Sequence, residues 1–212
     1  SAGLHADIAV VLASEAGQPV LVAVALQGVE RTPLASFDNS RGTAALNFAD
    51  TPAEVLLNGP AALDAARTLL ALQAVVTAHE QTGGAEALMF RARDYANTRR
   101  AFGQLIGGFQ SVKHKIAELY ALVELARANA IHAASLDGRP GFLKAAAAAR
   151  LSATEAYDTA ARDCVQIHGG IGVTWETGLH LHMRRARTLA IEQGNMLYWE
   201  DLLVDQLLGE AA

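Results

Sequence analysis

A chain of 212 residues can bury a sizeable core without help from a disulfide or a structural metal. Its residues are 51% hydrophobic but only 6% aromatic, and alanine is used heavily, which suits close-packed helices better than a sandwich of large side chains. The net charge of −5, with basic clusters only at Arg99-Arg100 and at Arg184, Arg185 and Arg187, argues against a nucleic-acid surface. The one cysteine, Cys164, sits in an alanine-rich helical context and reads as a small buried side chain in a reducing compartment, the cytoplasm. No leader precedes Ser1 and no apolar run reaches the roughly 18 residues of a membrane span, so no membrane partner is expected.

Three β-branched, apolar runs come first, Ile8 to Leu12, Val20 to Leu26 and Ala44 to Phe48, separated by Gly17-Gln18-Pro19 and Asn39-Ser40-Arg41-Gly42. So few strands make a marginal sheet, which predicts further strands upstream or a covering chain. After Gly59-Pro60 the texture becomes helical, with segments expected at about 61–98, 106–136, 142–168 and 178–208. In the second, Phe109, Val112, Ile116, Leu119, Tyr120 and Val123 recur at steps of three and four and define a buried face, with Lys113, Lys115 and Glu118 turned outward. The third uses Ala153, Ala156, Ala160 and Cys164 as small contacts between close helices. The fold class follows: mainly α, an antiparallel four-helix bundle at 61–212, preceded by a small, incomplete β-sheet domain at 1–60.

Two segments carry chemistry. Between the first two helices lie Tyr95, Arg99-Arg100, Phe102-Gly103 and Ile106, followed by Phe109-Gln110-Ser111-Val112-Lys113-His114. An arginine fork and the N–H groups of the next helix suit a phosphate. A solvated arginine pair offsetting a helix dipole fits the same residues, and composition alone leaves both roles open. The second segment, Gln166-Ile167-His168-Gly169-Gly170-Ile171-Gly172, joins glycines that permit positive φ and close backbone approach to a glutamine able to donate and accept. His180 and His182, two residues apart, do not share a helical face, and no metal site is expected from them.

Taken in order with Arg184-Arg185-Ala186-Arg187 and Ile191-Glu192-Gln193-Gly194-Asn195, these stretches resemble the acyl-CoA dehydrogenase family, most specifically over residues 79 to 200. The resemblance implies FAD as cofactor and an acyl-CoA substrate. It also implies that Arg99, Phe102, Gln110, Gln166, His168, Gly169 and Gly170 contact the flavin dinucleotide of a neighbouring subunit, so that a dimer or tetramer, of like or unlike chains, is required. His168 could reach the dinucleotide or cap a carbonyl.

The family's catalytic base, a carboxylate that removes the α-proton of the thioester while the flavin accepts hydride, falls on Gln193 or, in some relatives, on Gln73. Both are amides here. The turn threonine becomes Asn195 and the arginine that grips acyl-CoA becomes Ala74. Glu192 and Glu80 are the substitute carboxylates to weigh, and no catalytic residue is assigned. The expected role is a companion subunit completing a flavin site in a heteromeric acyl-CoA dehydrogenase. A catalytically inactive assembly homologue and a fragment of a full-length enzyme are the alternatives.

Overall fold

The computed structural model describes residues 2–211. The chain divides into two units, one up to Leu70 and one from Ala71 onward.

In the first unit, strands β1 (Ile8–Glu15), β2 (Gln18–Ala25) and β5 (Glu54–Asn58) form an antiparallel sheet in the order β1-β2-β5. Strands β3 (Glu30–Pro33) and β4 (Ala44–Asn47) pair separately. The sequence pattern missed β3, which is short and reads Glu-Arg-Thr-Pro, and β5, whose five residues are all exposed. Val20, Val22, Val24 and Leu26 form this unit's core, with Ala9 and Val11 of β1 packed against it. The alternate positions Ile8, Val10 and Leu12 are exposed, as strand periodicity dictates.

In the second unit, the part of α1 (Pro60–Ala96) from Ala71 onward and helices α2 (Gln110–Ser135), α3 (Phe142–His168) and α4 (Leu179–Ile191) build the antiparallel bundle, and α5 (Met196–Ala211) follows. Ala71, Val75, Ala78, Ala85, Met89, Ala92 and Ala96 of α1 repeat at helical steps into the same core as Leu119, Val123, Ala126, Ala130 and Ala133 of α2. Along α3, Ala146, Ala149, Ala153, Ala156, Ala160 and Cys164 are fully buried, as the small-residue pattern predicts. An 18-residue window of α1 has mean hydropathy 1.3, so one helix does pass a length-and-composition test for spanning a membrane, contrary to expectation. Its alanines are instead spent on the bundle core.

Three further expectations change. The segment 178–208 is two helices, because Glu192 is extended and Gln193 and Gly194 take φ of 57° and 109°, which no helix accommodates. Tyr120 leaves the buried stripe and is exposed. One residue beyond Leu119, it lies about 100° around the helix, on the rim of that face. Lys115 does not simply face solvent: its Nζ pairs with Asp163 of α3 at 2.8 Å.

Gly84 of α1 packs directly against Tyr157 of α3. A Cβ there would lie 2.6 Å from Tyr157 Cζ, and Tyr157 is itself buried, its hydroxyl hydrogen-bonded to His182 Nδ1 of α4 at 3.0 Å. One methyl group therefore wedges α1, α3 and α4 apart. Gly84→Ala is expected to destabilise the chain by about 1–3 kcal/mol despite alanine's better helix propensity. Thermal unfolding checks the sign, and an unchanged or raised Tm would contradict this packing.

Candidate functional site

The end of α1 sets up the first segment. Thr98 N–H and Arg99 N–H both donate to Tyr95 O (3.1 and 2.8 Å), tightening the last turn, and Ile106 N–H donates to Arg99 O at 2.9 Å. Strands β6 (Arg100–Ala101) and β7 (Gln104–Leu105) then form a minimal hairpin, registered Arg100 to Leu105 and Ala101 to Gln104. Its two-residue turn is Phe102-Gly103, with φ of 49° and 82°. Both positive values match the primed turn that suits strand twist, a turn that prefers Asn-Gly. A phenylalanine in the left-handed region is strained. Its ring does not repay that strain by burial, since Phe102 is 95% exposed. Edge contact with Phe109, centroids 6.3 Å apart, is its ring partner.

Phe102 stands at one wall of an open groove of about 500 Å³ that is also lined by Ala101, Ile106, Phe109, Val112 and Gln166. Two of the residues predicted from sequence, Phe102 and Gln166, are thus brought together although they are far apart in the chain. Gln110 is the exposed first residue of α2, next to the groove-lining Phe109, and Arg99 is exposed at the base of the hairpin. Neither Arg99 nor Gln166 has a side-chain hydrogen bond among the described residues, so both keep their donors for something else. Ile106, Ser111, Val112 and Lys115 also line the groove. Ser111 and Lys115 are four apart, one turn of α2, a spacing that could have marked them in sequence.

The α3 end of the site is built by its terminus. Gly169 takes φ of 64° and opens a 3-10 segment Gly169–Val173, with Gly169 and Gly170 exposed and open space where a Cβ would be. Gly172 is different: a Cβ there would lie 2.6 Å from Val165 O, so this glycine serves internal packing. His168 turns inward. Its ring stacks on Tyr95 at 4.1 Å, Nδ1 lies 2.7 Å from Cys164 O, and the Tyr95 hydroxyl donates to His168 O at 3.4 Å. Of its two roles, capping a carbonyl is the one this geometry fits. Burial holds its pKa below the usual 6.5, with the backbone bond to Cys164 opposing and the Arg91 charge reinforcing. Burial also pushes the Cys164 thiol up to about 11, consistent with a packed, unreactive side chain.

The two positions aligned with a base are both amides. Gln73 is one turn before Thr77 on α1, and Thr77 Oγ1 donates to Gln193 Oε1 at 3.0 Å. Neither amide can accept a proton as a base must. Of the substitutes, Glu80 is held by Arg185, whose Nε donates to Glu80 Oε1 at 2.7 Å. Glu192 is the extended residue that ends α4, not a residue on a helical face.

An apolar trough with unengaged arginine and glutamine side chains beside it fits a ligand with a flat apolar part and an anionic part. The family model described as acyl-CoA dehydrogenase, C-terminal domain, matches residues 63–202. The chain belongs to the acyl-CoA dehydrogenase family. Acyl-CoA dehydrogenase IpdE2 of Mycobacterium tuberculosis is 40% identical over 157 residues, covering 73% of this chain and 44% of that protein. Butyryl-CoA dehydrogenase from Megasphaera elsdenii superimposes with a TM-score of 0.89 at 25% identity, over 98% of this chain and 57% of that one. A chain of the ChsE4-ChsE5 complex from Mycobacterium tuberculosis shares the fold, with a TM-score of 0.83 at 24% identity, over 97% of this chain and 57% of its own length. This acyl-CoA dehydrogenase chain therefore spans about half the length of these relatives.

His182, like His168, has its pKa lowered from 6.5, first by burial and then by the Arg91 charge. Because both folded values lie below the unfolded one, the unfolded chain binds more protons under acid conditions. Their contribution to stability is present above pH 6.5 and is lost as pH falls from there through the folded values. Melting temperature should decline below about pH 6.5, with a shallower decline in His182→Gln. A decline of the same steepness in that variant would remove His182 from the account.

Proposed function

We propose that this chain acts in an FAD-dependent acyl-CoA dehydrogenase as a companion subunit, offering its hairpin and the end of α3 across an interface to flavin held by a neighbouring acyl-CoA dehydrogenase subunit. The observation that carries the reading is Phe102, strained in backbone and bare in side chain, beside Gln166 in one groove. Strain without burial is retained where a contact outside the chain repays it.

In this reading Arg99 gives a bidentate cation to the dinucleotide's pyrophosphate, and Phe102 covers its apolar surface. Gln110 and Gln166 meet polar edges, and Gly169-Gly170 lets backbone N–H groups approach without a Cβ between them. His168 supports the turn from beneath. When bound, FAD supplies the acceptor for hydride from the acyl thioester. The α-proton is left to a carboxylate on the partner, since positions 73 and 193 here are amides and Glu80 is tied to Arg185. The ChsE4-ChsE5 complex, a chain of which shares this fold, supports the reading of an unlike partner.

In the assembled complex, Arg99→Ala should weaken flavin retention at least about tenfold, read as the flavin-to-protein absorbance ratio after gel filtration. Unchanged occupancy would favour an assembly scaffold instead. Phe102→Asn separates strain from function: asparagine suits the left-handed position, so the isolated chain should melt no lower, and up to about 1 kcal/mol more stable, while the complex loses flavin. A variant that melts lower and keeps its flavin would show that Phe102 is structural.

A further inference from the structure

Arg150 lies in the first third of α3, 1% exposed, among alanines. Its Nη1 donates to Gln81 Oε1 of α1 (2.6 Å) and to Thr154 Oγ1 (2.5 Å), and its Nη2 donates to Leu189 O and to Glu192 O (3.0 Å). Both carbonyls belong to the C-terminal end of α4, where no further intrahelical donors exist. Placing a cation inside a helical core is costly, and the oxygens that offset it here are two carbonyls at the α4 end, Gln81 on α1 and Thr154 one turn along α3, while the buried Nε has no partner among the described residues.

Immediately after those carbonyls the chain makes its sharpest departure from helix. Gln193 takes φ of 57° without being glycine, and Gly194 follows at 109°, where a Cβ would lie 2.6 Å from Tyr198 Cδ1 and 3.3 Å from Trp199 Nε1. Thr77 then holds the Gln193 carboxamide by its oxygen. The amide nitrogen is neither bonded nor buried among the described residues. It is left as an open donor.

We infer that Arg150 is the positioning residue of this turn: it ties the end of α4 to α1 and α3, and thereby fixes Gln193 as a preorganised hydrogen-bond donor suited to a carbonyl or carboxylate oxygen. The guanidinium is the group that can do this, because its planar fork spans two carbonyls and two side-chain oxygens at once. Lysine at this position keeps the charge but presents all three donors from one atom, so it serves fewer of them. The clamp draws on α1, α3 and α4, whereas the flavin groove draws on the hairpin, α2 and the end of α3. The inference therefore goes beyond the companion role and does not rest on it.

Amide hydrogen exchange of the purified chain tests it, with Arg150→Lys and Arg150→Met compared at one pH. Exchange at residues 192–195 should rise a few-fold in Arg150→Lys and by about tenfold or more in Arg150→Met, with α1, α2 and α3 protected as before. In a Trp175→Phe background the remaining Trp199 should become more quenchable by acrylamide in the same order. If Arg150→Met fails to fold, the lysine variant alone decides: a rise confined to the turn supports the clamp, and unchanged exchange there overturns it. A rise spread evenly over α1 to α4 in either variant also overturns it, since Arg150 would then be a general core residue.

Discussion

Close approach along α3 is the constraint on which the rest of this molecule depends. Seven side chains no larger than cysteine lie fully buried on that helix, so its neighbours come near enough for one glycine on α1 to matter. Once the axes are fixed by such contacts, both halves of α3 have little freedom of placement. The C-terminal end delivers Gln166 to the groove and Gly169-Gly170 to the surface. The N-terminal third delivers Arg150 to the turn beyond α4. A core of large, flexible side chains would tolerate sliding, whereas one of alanines has little to repack with.

Polar chemistry is confined to what that scaffold can hold. The Arg150 fork is engaged by two carbonyls at the end of α4 and by Gln81 and Thr154, though its buried Nε has no partner among the described residues, and Glu80 is engaged by Arg185, so these charges hold elements together. The unengaged donors, on Arg99, Gln166 and the Gln193 amide, sit at the margins. That division leaves Arg99 and Gln166 available at the surface while positions 73 and 193 carry amides.

The bundle was legible in the sequence because alanine periodicity and glycine breaks are local signals. Cys164 and the α3 alanines lie where that pattern puts them, and the motifs around Arg99 and Gln166 pointed to the family. Several features were not legible. The break at Gln193 depends on Arg150, separated by most of two helices, and a glutamine in a left-handed conformation has no compositional signature. The inward turn of His168 depends on Tyr95 of another helix. Phe102 could be named from a motif, but its exposure and its strain belong to the hairpin that only the fold creates. Strands β3 and β5 lack the apolar alternation by which strands are read.

The central claim is that the groove beside Phe102 serves a flavin bound mainly by another subunit. A structure of the flavin-loaded complex of this chain with its partner tests that most directly. The account predicts the dinucleotide's pyrophosphate within hydrogen-bonding distance of Arg99 and its apolar surface against Phe102, with the isoalloxazine seated in the partner. Flavin held wholly within one subunit, with Arg99 and Phe102 facing solvent, would contradict it.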